Sequence, residues 1–157
     1  MALRLSVSGV PDGVCIVSLK ATWYRDRLTK KAKKGFQGYP VASIIFYGPT
    51  NTRATKVAVG ITRAEGSAAD LLERWISEPE DVRFNPAIAE AIVHFLQRNG
   101  VKSVVMTEAI LGCPHEEGID YPVGAQCPRC DYWRDRDRFT GQRLAGPHEA
   151  SEKTPPK

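Results

Sequence analysis

Cys113, His115, Cys127 and Cys130 narrow what this chain can fold into more than any other feature. They gather three of its four cysteines and one of its three histidines into eighteen consecutive positions. The spacing is C-x-H-x11-C-x2-C, two close pairs joined by a loop that carries Gly118, Pro122 and Gly124. A tetrahedral zinc ion wants four soft or borderline donors, and a C-x2-C turn supplies two of them from one tight bend. Pro128 suits that bend because its ring pre-sets one backbone angle. The expectation is Zn2+ held by these four side chains, in a zinc-ribbon-like arrangement of two ligand pairs on loops. Cys15 stands apart in an apolar run and is expected in the core.

Four protein donors leave no corner of a tetrahedron for a catalytic water, so the site reads as structural. Two glutamates nevertheless follow the histidine. His115-Glu116-Glu117 and Cys127-Pro128-Arg129-Cys130 resemble the H-x-E and C-x-x-C motifs of zinc-dependent nucleobase deaminases. The resemblance implies a hydrolytic metalloenzyme with Glu116 or Glu117 as the acid/base. The chain departs from that pattern in three ways. Only eleven residues separate His115 from Cys127, too few for an intervening helix and strand; that interval is Gly/Pro-rich and loop-like, so neither ligand pair sits on a helix N-terminus; and Cys113 adds a fourth ligand. No catalytic residue is assigned; the acids are expected to form a solvated loop, or to accept the second ring N–H of His115.

Around this cluster the chain has the means for an ordinary core. Of its 157 residues, 42% are hydrophobic and 25% charged, the balance of a globular domain. Its longest apolar runs, such as "VASIIFY", are far shorter than the roughly 18 residues a spanning helix needs. The N-terminus alternates apolar and polar residues and has no signal-peptide core. A cytoplasmic location follows as the expectation, where clustered thiols stay reduced and more often bind metal than pair as disulfides.

The pattern of apolar residues predicts an α+β domain with a mixed sheet, in the order ββββααβ. "LRLSVSGV" and "VCIVSLKATWY" read as one N-terminal hairpin, "VASIIFYG" and "TKVAVGIT" as a second. Ser67 and Asp70 read as the start of a helix carrying Leu71, Leu72, Trp75 and Ile76 on one face and ending at Pro79. Asn85 and Pro86 open another, with an apolar stripe of Ile88, Ile92, Phe95 and Leu96 and a stop at Gly100. "VKSVVMTEAIL" then reads as a buried strand parallel to an earlier one, because its connection crosses over through helices. The expected organisation is a core domain over residues 1–111 with a basic loop at 25–40, a zinc-binding appendage at 112–141, and a disordered tail at 142–157.

Charge is concentrated. The chain carries a net +4, but residues 20–34 alone hold seven positive charges and one negative, a local +6, leaving the remainder near −2. Lys20, Trp23, Arg25, Arg27, Lys30, Lys31, Lys33, Lys34 and Tyr39 interleave cations with aromatic rings. Cations grip a phosphate backbone and release counterions, while rings stack on unpaired bases. RNA or single-stranded DNA is the expected partner, bound by an accessory module of a larger complex; a protein–protein adaptor is the remaining class. Arg134, Arg136 and Arg138 alternate with Asp135 and Asp137, which reads as salt-bridged surface. No phosphate-binding or nucleophile-elbow motif occurs.

Overall fold

The computed structural model describes residues 13–145, with side chains from residue 22 onward. It contains α1 (Gly13–Lys33), β1 (Val41–Tyr47), β2 (Lys56–Thr62), β3 (Leu71–Ile76), α2 (Pro86–Arg98) and β4 (Ser103–Ile110), then a single 3-10 turn at Asp131–Trp133. The four strands form one mixed sheet in the order β3-β2-β1-β4. β1 runs antiparallel to β2 and parallel to β4, and β2 runs antiparallel to β3. The expected α+β class, the second hairpin and the parallel return strand are all present.

Alternation along the strands builds the core. Ala42, Ile44 and Phe46 on β1 stand opposite Ile61, Val59 and Val57 on β2, and Ala42 and Ile44 also face Val104 and Met106 on β4. One face of the sheet is therefore apolar, and Ile44, Val57, Val59 and Ile61 are fully buried. α2 covers that face with Ile88, Ile92, Phe95 and Leu96. Its start is fixed by Asn85, whose side chain accepts from the Ile88 N–H, followed by Pro86.

Two of the predicted elements change type. "VCIVSLKATWY" is not a strand but part of α1, a helix of 21 residues, so Cys15 is helical as well. The strand expected to pair with it, "LRLSVSGV", lies outside the described residues. The stripe Tyr24–Leu28–Ala32, spaced by four, packs on the core and outweighs the strand preference of the preceding β-branched residues. The Tyr24 hydroxyl also donates to Glu90 on α2 at 3.0 Å. The basic segment 25–40 is accordingly helix through Lys33 and loop only beyond it.

The helix expected from Ser67 is instead β3. The Ser67 hydroxyl donates to the Ala64 carbonyl, and the Asp70 N–H donates to Ile61, which closes a turn onto β2. Arg63 pairs with the Asp70 carboxylate across the same turn at 2.6 Å. Trp75 points into the core and meets Phe95 edge-on at 5.8 Å, whereas Leu71, Leu72 and Ile76 remain exposed. The eight residues between Asp70 and Pro79 are too few for a stable isolated helix but enough for an outer strand.

Residues 142–145, expected to belong to a disordered tail, make defined contacts. Leu144 N–H donates to the Asp135 carbonyl, and Arg143 bridges Arg136, so residues 142–145 fold back on the appendage. Residues 146–157 lie outside the described part. In the Arg134–Arg138 stretch the expected salt bridging is present at Arg134, which pairs with Asp131, whereas Arg136 covers the Tyr132 ring and Asp137 caps the turn at Thr140. No described helix is long and apolar enough to cross a membrane.

Because Leu28 is only 7% exposed, Leu28→Ala tests the docking of α1 directly. Urea unfolding should show a loss of about 2–4 kcal/mol, the usual range for a buried leucine. A loss under about 0.5 kcal/mol would mean that α1 does not pack on the sheet.

Candidate metal centre and basic groove

β4 delivers the first ligand pair. Between Ile44/Met106 and Phe46/Ile110 the register shifts, with the surplus residues on β4. Pairing then continues past the strand, Leu111 N–H donating to Phe46 O at 2.8 Å and Gly48 N–H to Gly112 O at 3.0 Å. Cys113 thus leaves the sheet beside the β1–β2 loop. Gly48 must be glycine there: a Cβ would stand 1.8 Å from the Arg53 carbonyl oxygen. The Cys127–Cys130 knuckle is pinned to the same place by Trp133, whose indole N–H donates to Gly48 O at 2.7 Å.

The four expected ligands come together. His115 Nδ1 lies 3.9 Å from Cys113 Sγ and 3.4 Å from both Cys127 Sγ and Cys130 Sγ, and all four donor atoms lie within 4.8 Å of one another. Donors at ordinary thiolate and imidazole bond lengths on a tetrahedron stand about 3.5–3.8 Å apart, so the spacing fits a single ion. Cys127 and Cys130 are buried with Tyr121, and Cys113 and Trp133 pack against them.

The donor chemistry points the same way. Burial pushes the Cys130 thiol up to about 12, with Cys113 and Cys127 adding repulsion. Burial also raises Cys113. Cys127 is shifted down, because hydrogen bonds headed by the Arg129 N–H outweigh its burial. Three thiols in such contact resist ionising together; a divalent cation removes that obstacle by binding the thiolates. All three are free of disulfides.

The acids beside His115 are engaged elsewhere. Glu116 accepts from Lys56 Nζ and, through both oxygens, from Arg74. Lys56 is 6% exposed and also donates to the Pro114 carbonyl at 3.0 Å. Glu117 accepts from the Gly124 N–H, and Asp120 from the Glu116 N–H at 2.7 Å. None of them bonds the His115 ring, so the expected carboxylate–histidine support is not formed. Their hydrogen bonds fold the ligand loop and fasten it to β2 and β3. The hydrogen bond from Lys56 and, after the opposing effect of burial, that from Arg74 hold the Glu116 carboxyl below its ordinary range.

The basic residues separate into two sets. Trp23, Arg27, Lys30, Lys31 and Lys34 line one groove of about 670 Å³, with Asp26 and Gln37, and Lys102 from the turn before β4 forms its far wall. Lys31 Nζ donates to the Val101 carbonyl at 2.6 Å. Burial, followed by repulsion from Arg27 and Lys34, holds Lys31 below its ordinary pKa. Arg25 lies on another flank of α1, over the Phe84 ring. Tyr39 stacks edge-on with Phe36, and Lys33 is exposed away from the groove. Lys20 lies in α1, its side chain outside the described ones. Lys102 and Gln37 carried no signal in the sequence, since only folding sets them beside α1. His94 sits on the α2 surface, 3.7 Å from Glu90.

Comparison with known proteins finds no matching family model, no matching curated protein and no matching solved structure.

The Glu116 brace carries a pH signature. Its folded-state pKa is depressed, so its contribution to stability is complete above the ordinary glutamate value of about 4.3. That contribution is lost as pH falls through the lower folded value. Glu116→Gln should destabilise the chain by about 1–2 kcal/mol at pH 7 and by much less near pH 3. Urea midpoints measured across that range would refute the brace if the variant and the parent differed by the same amount throughout.

Proposed function

We propose that this chain is a zinc-stabilised nucleic-acid-binding module, in which the ion fixes the C-terminal lobe and α1 holds the phosphates. The supporting observation is the groove: five cations from α1, the residue after it and the turn before β4 converge with a single carboxylate, Asp26. Arg27, Lys30, Lys34 and Lys102 have no acidic partner among the described residues, which leaves their charge available to a polyanion.

Zinc is the ion that suits the donor set. Three thiolates and one imidazole are soft to borderline ligands with tetrahedral spacing, the signature of a closed structural zinc site. With all four positions taken by protein, the ion supplies folding free energy rather than a reactive water. Lys56, Arg74 and Arg138 stand around the cleft beside Cys113 and His115, where they offset the net −1 of such a centre. Glu116 and Glu117 are committed to the loop, which supports the structural reading over a hydrolytic one.

Elemental analysis of the purified chain should give about one zinc per molecule, with X-ray absorption showing three sulfurs and one nitrogen. Cys127→Ser should lower both metal content and thermal stability. A metal-free, equally stable protein would overturn the assignment.

Fluorescence anisotropy with labelled oligonucleotides tests the groove. Four cations in contact with a single strand predict that log affinity falls with log salt at a slope of about −3. Replacing Lys30, Lys34 and Lys102 together by alanine should reduce that slope by about 2. Binding unaffected by the triple variant, or no binding at low salt, would sink the nucleic-acid reading.

A further inference from the structure

Asp26 is the anomaly in the groove. A carboxylate set among five cations opposes phosphate binding, yet no cation or hydrogen-bond donor engages it among the described residues. It stands on α1 three positions after Trp23, the spacing that makes side chains neighbours on a helix face. Trp23 is 55% exposed. The Arg27 guanidinium lies 5.4 Å from the centroid of its ring, which polarises the indole and leaves over half its surface to solvent. Trp23, Arg27 and Lys30 follow one another at helical spacing over a rise of about 10 Å, and Lys34 continues the row just past the end of α1.

A stacking ring, a carboxylate and a row of cations match three parts of one nucleotide chain. Phosphates belong with Arg27, Lys30, Lys34 and Lys102, and a base belongs on Trp23. A carboxylate only accepts hydrogen bonds, so beside a stacked base it selects an edge that donates. Cytosine offers its amino group at such an edge. Uracil offers one N–H set between two carbonyl oxygens, which repel the carboxylate. Base faces are covered in a duplex, so the full complement of ring, edge and phosphates exists only on an unpaired strand.

Resting on the nucleic-acid reading above, we propose that the groove binds single-stranded nucleic acid and selects, at the position stacked on Trp23, a base bearing an exocyclic amine that donates to Asp26. Asp26 is thus a specificity-determining residue, and the affinity it sacrifices to repulsion returns as discrimination.

The test uses the full, metal-loaded chain and labelled hexamers of cytidine and of uridine, each in ribo and deoxy form, plus a duplex control. The two pyrimidines stack comparably, so their ratio isolates the edge contact. Cytidine hexamers should bind about tenfold more tightly than uridine hexamers, in line with one hydrogen bond to a charged group. Whichever sugar series is tighter identifies the natural strand as RNA or DNA. Asp26→Asn should raise affinity for both hexamers and bring their ratio close to one, because an amide accepts from one base and donates to the other. Trp23→Ala should weaken both by about tenfold or more, with Trp23→Phe restoring most of the loss.

Equal binding of the two hexamers by the unmodified chain overturns the inference, as does a preference that survives Asp26→Asn or a duplex bound as tightly as a single strand. Each of these leaves nucleic-acid binding itself intact. Absence of binding to every oligonucleotide overturns both.

Discussion

Lys56 ties the metal-ligating loop to the sheet, and the geometry of the C-terminal lobe depends on it. The residue begins β2, where alternation directs its side chain away from the helix-covered face. There the ammonium is nearly enclosed, donating to the Pro114 carbonyl between two ligands and to Glu116 just beyond them. A buried ammonium is tolerable only with full partners, so the contact specifies one position for the loop rather than adding much net stability. Arg74, from the adjacent strand, grips the same carboxylate. Trp133 fixes the opposite end through Gly48. Between these anchors, the four ligands have little freedom left to lose when an ion binds.

How much of this could be read in the sequence differs from element to element, for physical reasons. The ligand set was legible because metal coordination demands particular atoms in close pairs, and no other residue type substitutes for them. β1, β2 and α2 were legible because local pattern and burial agree: alternation in "VASIIFY", and a cap, a proline and an apolar stripe in α2. α1 and β3 were not, and each failed where local preference and tertiary contact diverge. The apolar run at 14–17 favours a strand, while the described stripe that docks the helix, Tyr24–Leu28–Ala32, is spaced by four further along. "LLERWI" carries good helix formers, yet its neighbours close a turn onto β2 and leave an edge to be paired.

The candidate sites divide in the same way. Cation density in the basic segment was plain, but the distribution of those cations depended on whether the segment is helix or loop. As a loop, all of them could reach one ligand. As a helix, Arg25 and Lys33 turn away from the groove, and the far wall is recruited from Lys102, nearly seventy residues downstream. The role of Glu116 was equally out of reach, because its two partners lie on strands about forty and sixty positions before it.

Lys31 spends its ammonium on the Val101 carbonyl, which clamps α1 to the turn carrying Lys102. The separation between the two walls is therefore set by folding and not by whatever occupies the space between them. A binding surface with a fixed gauge gives up little conformational entropy on association, and it discriminates by dimension as well as by charge. The lysine committed to this contact thereby sets the width of the groove.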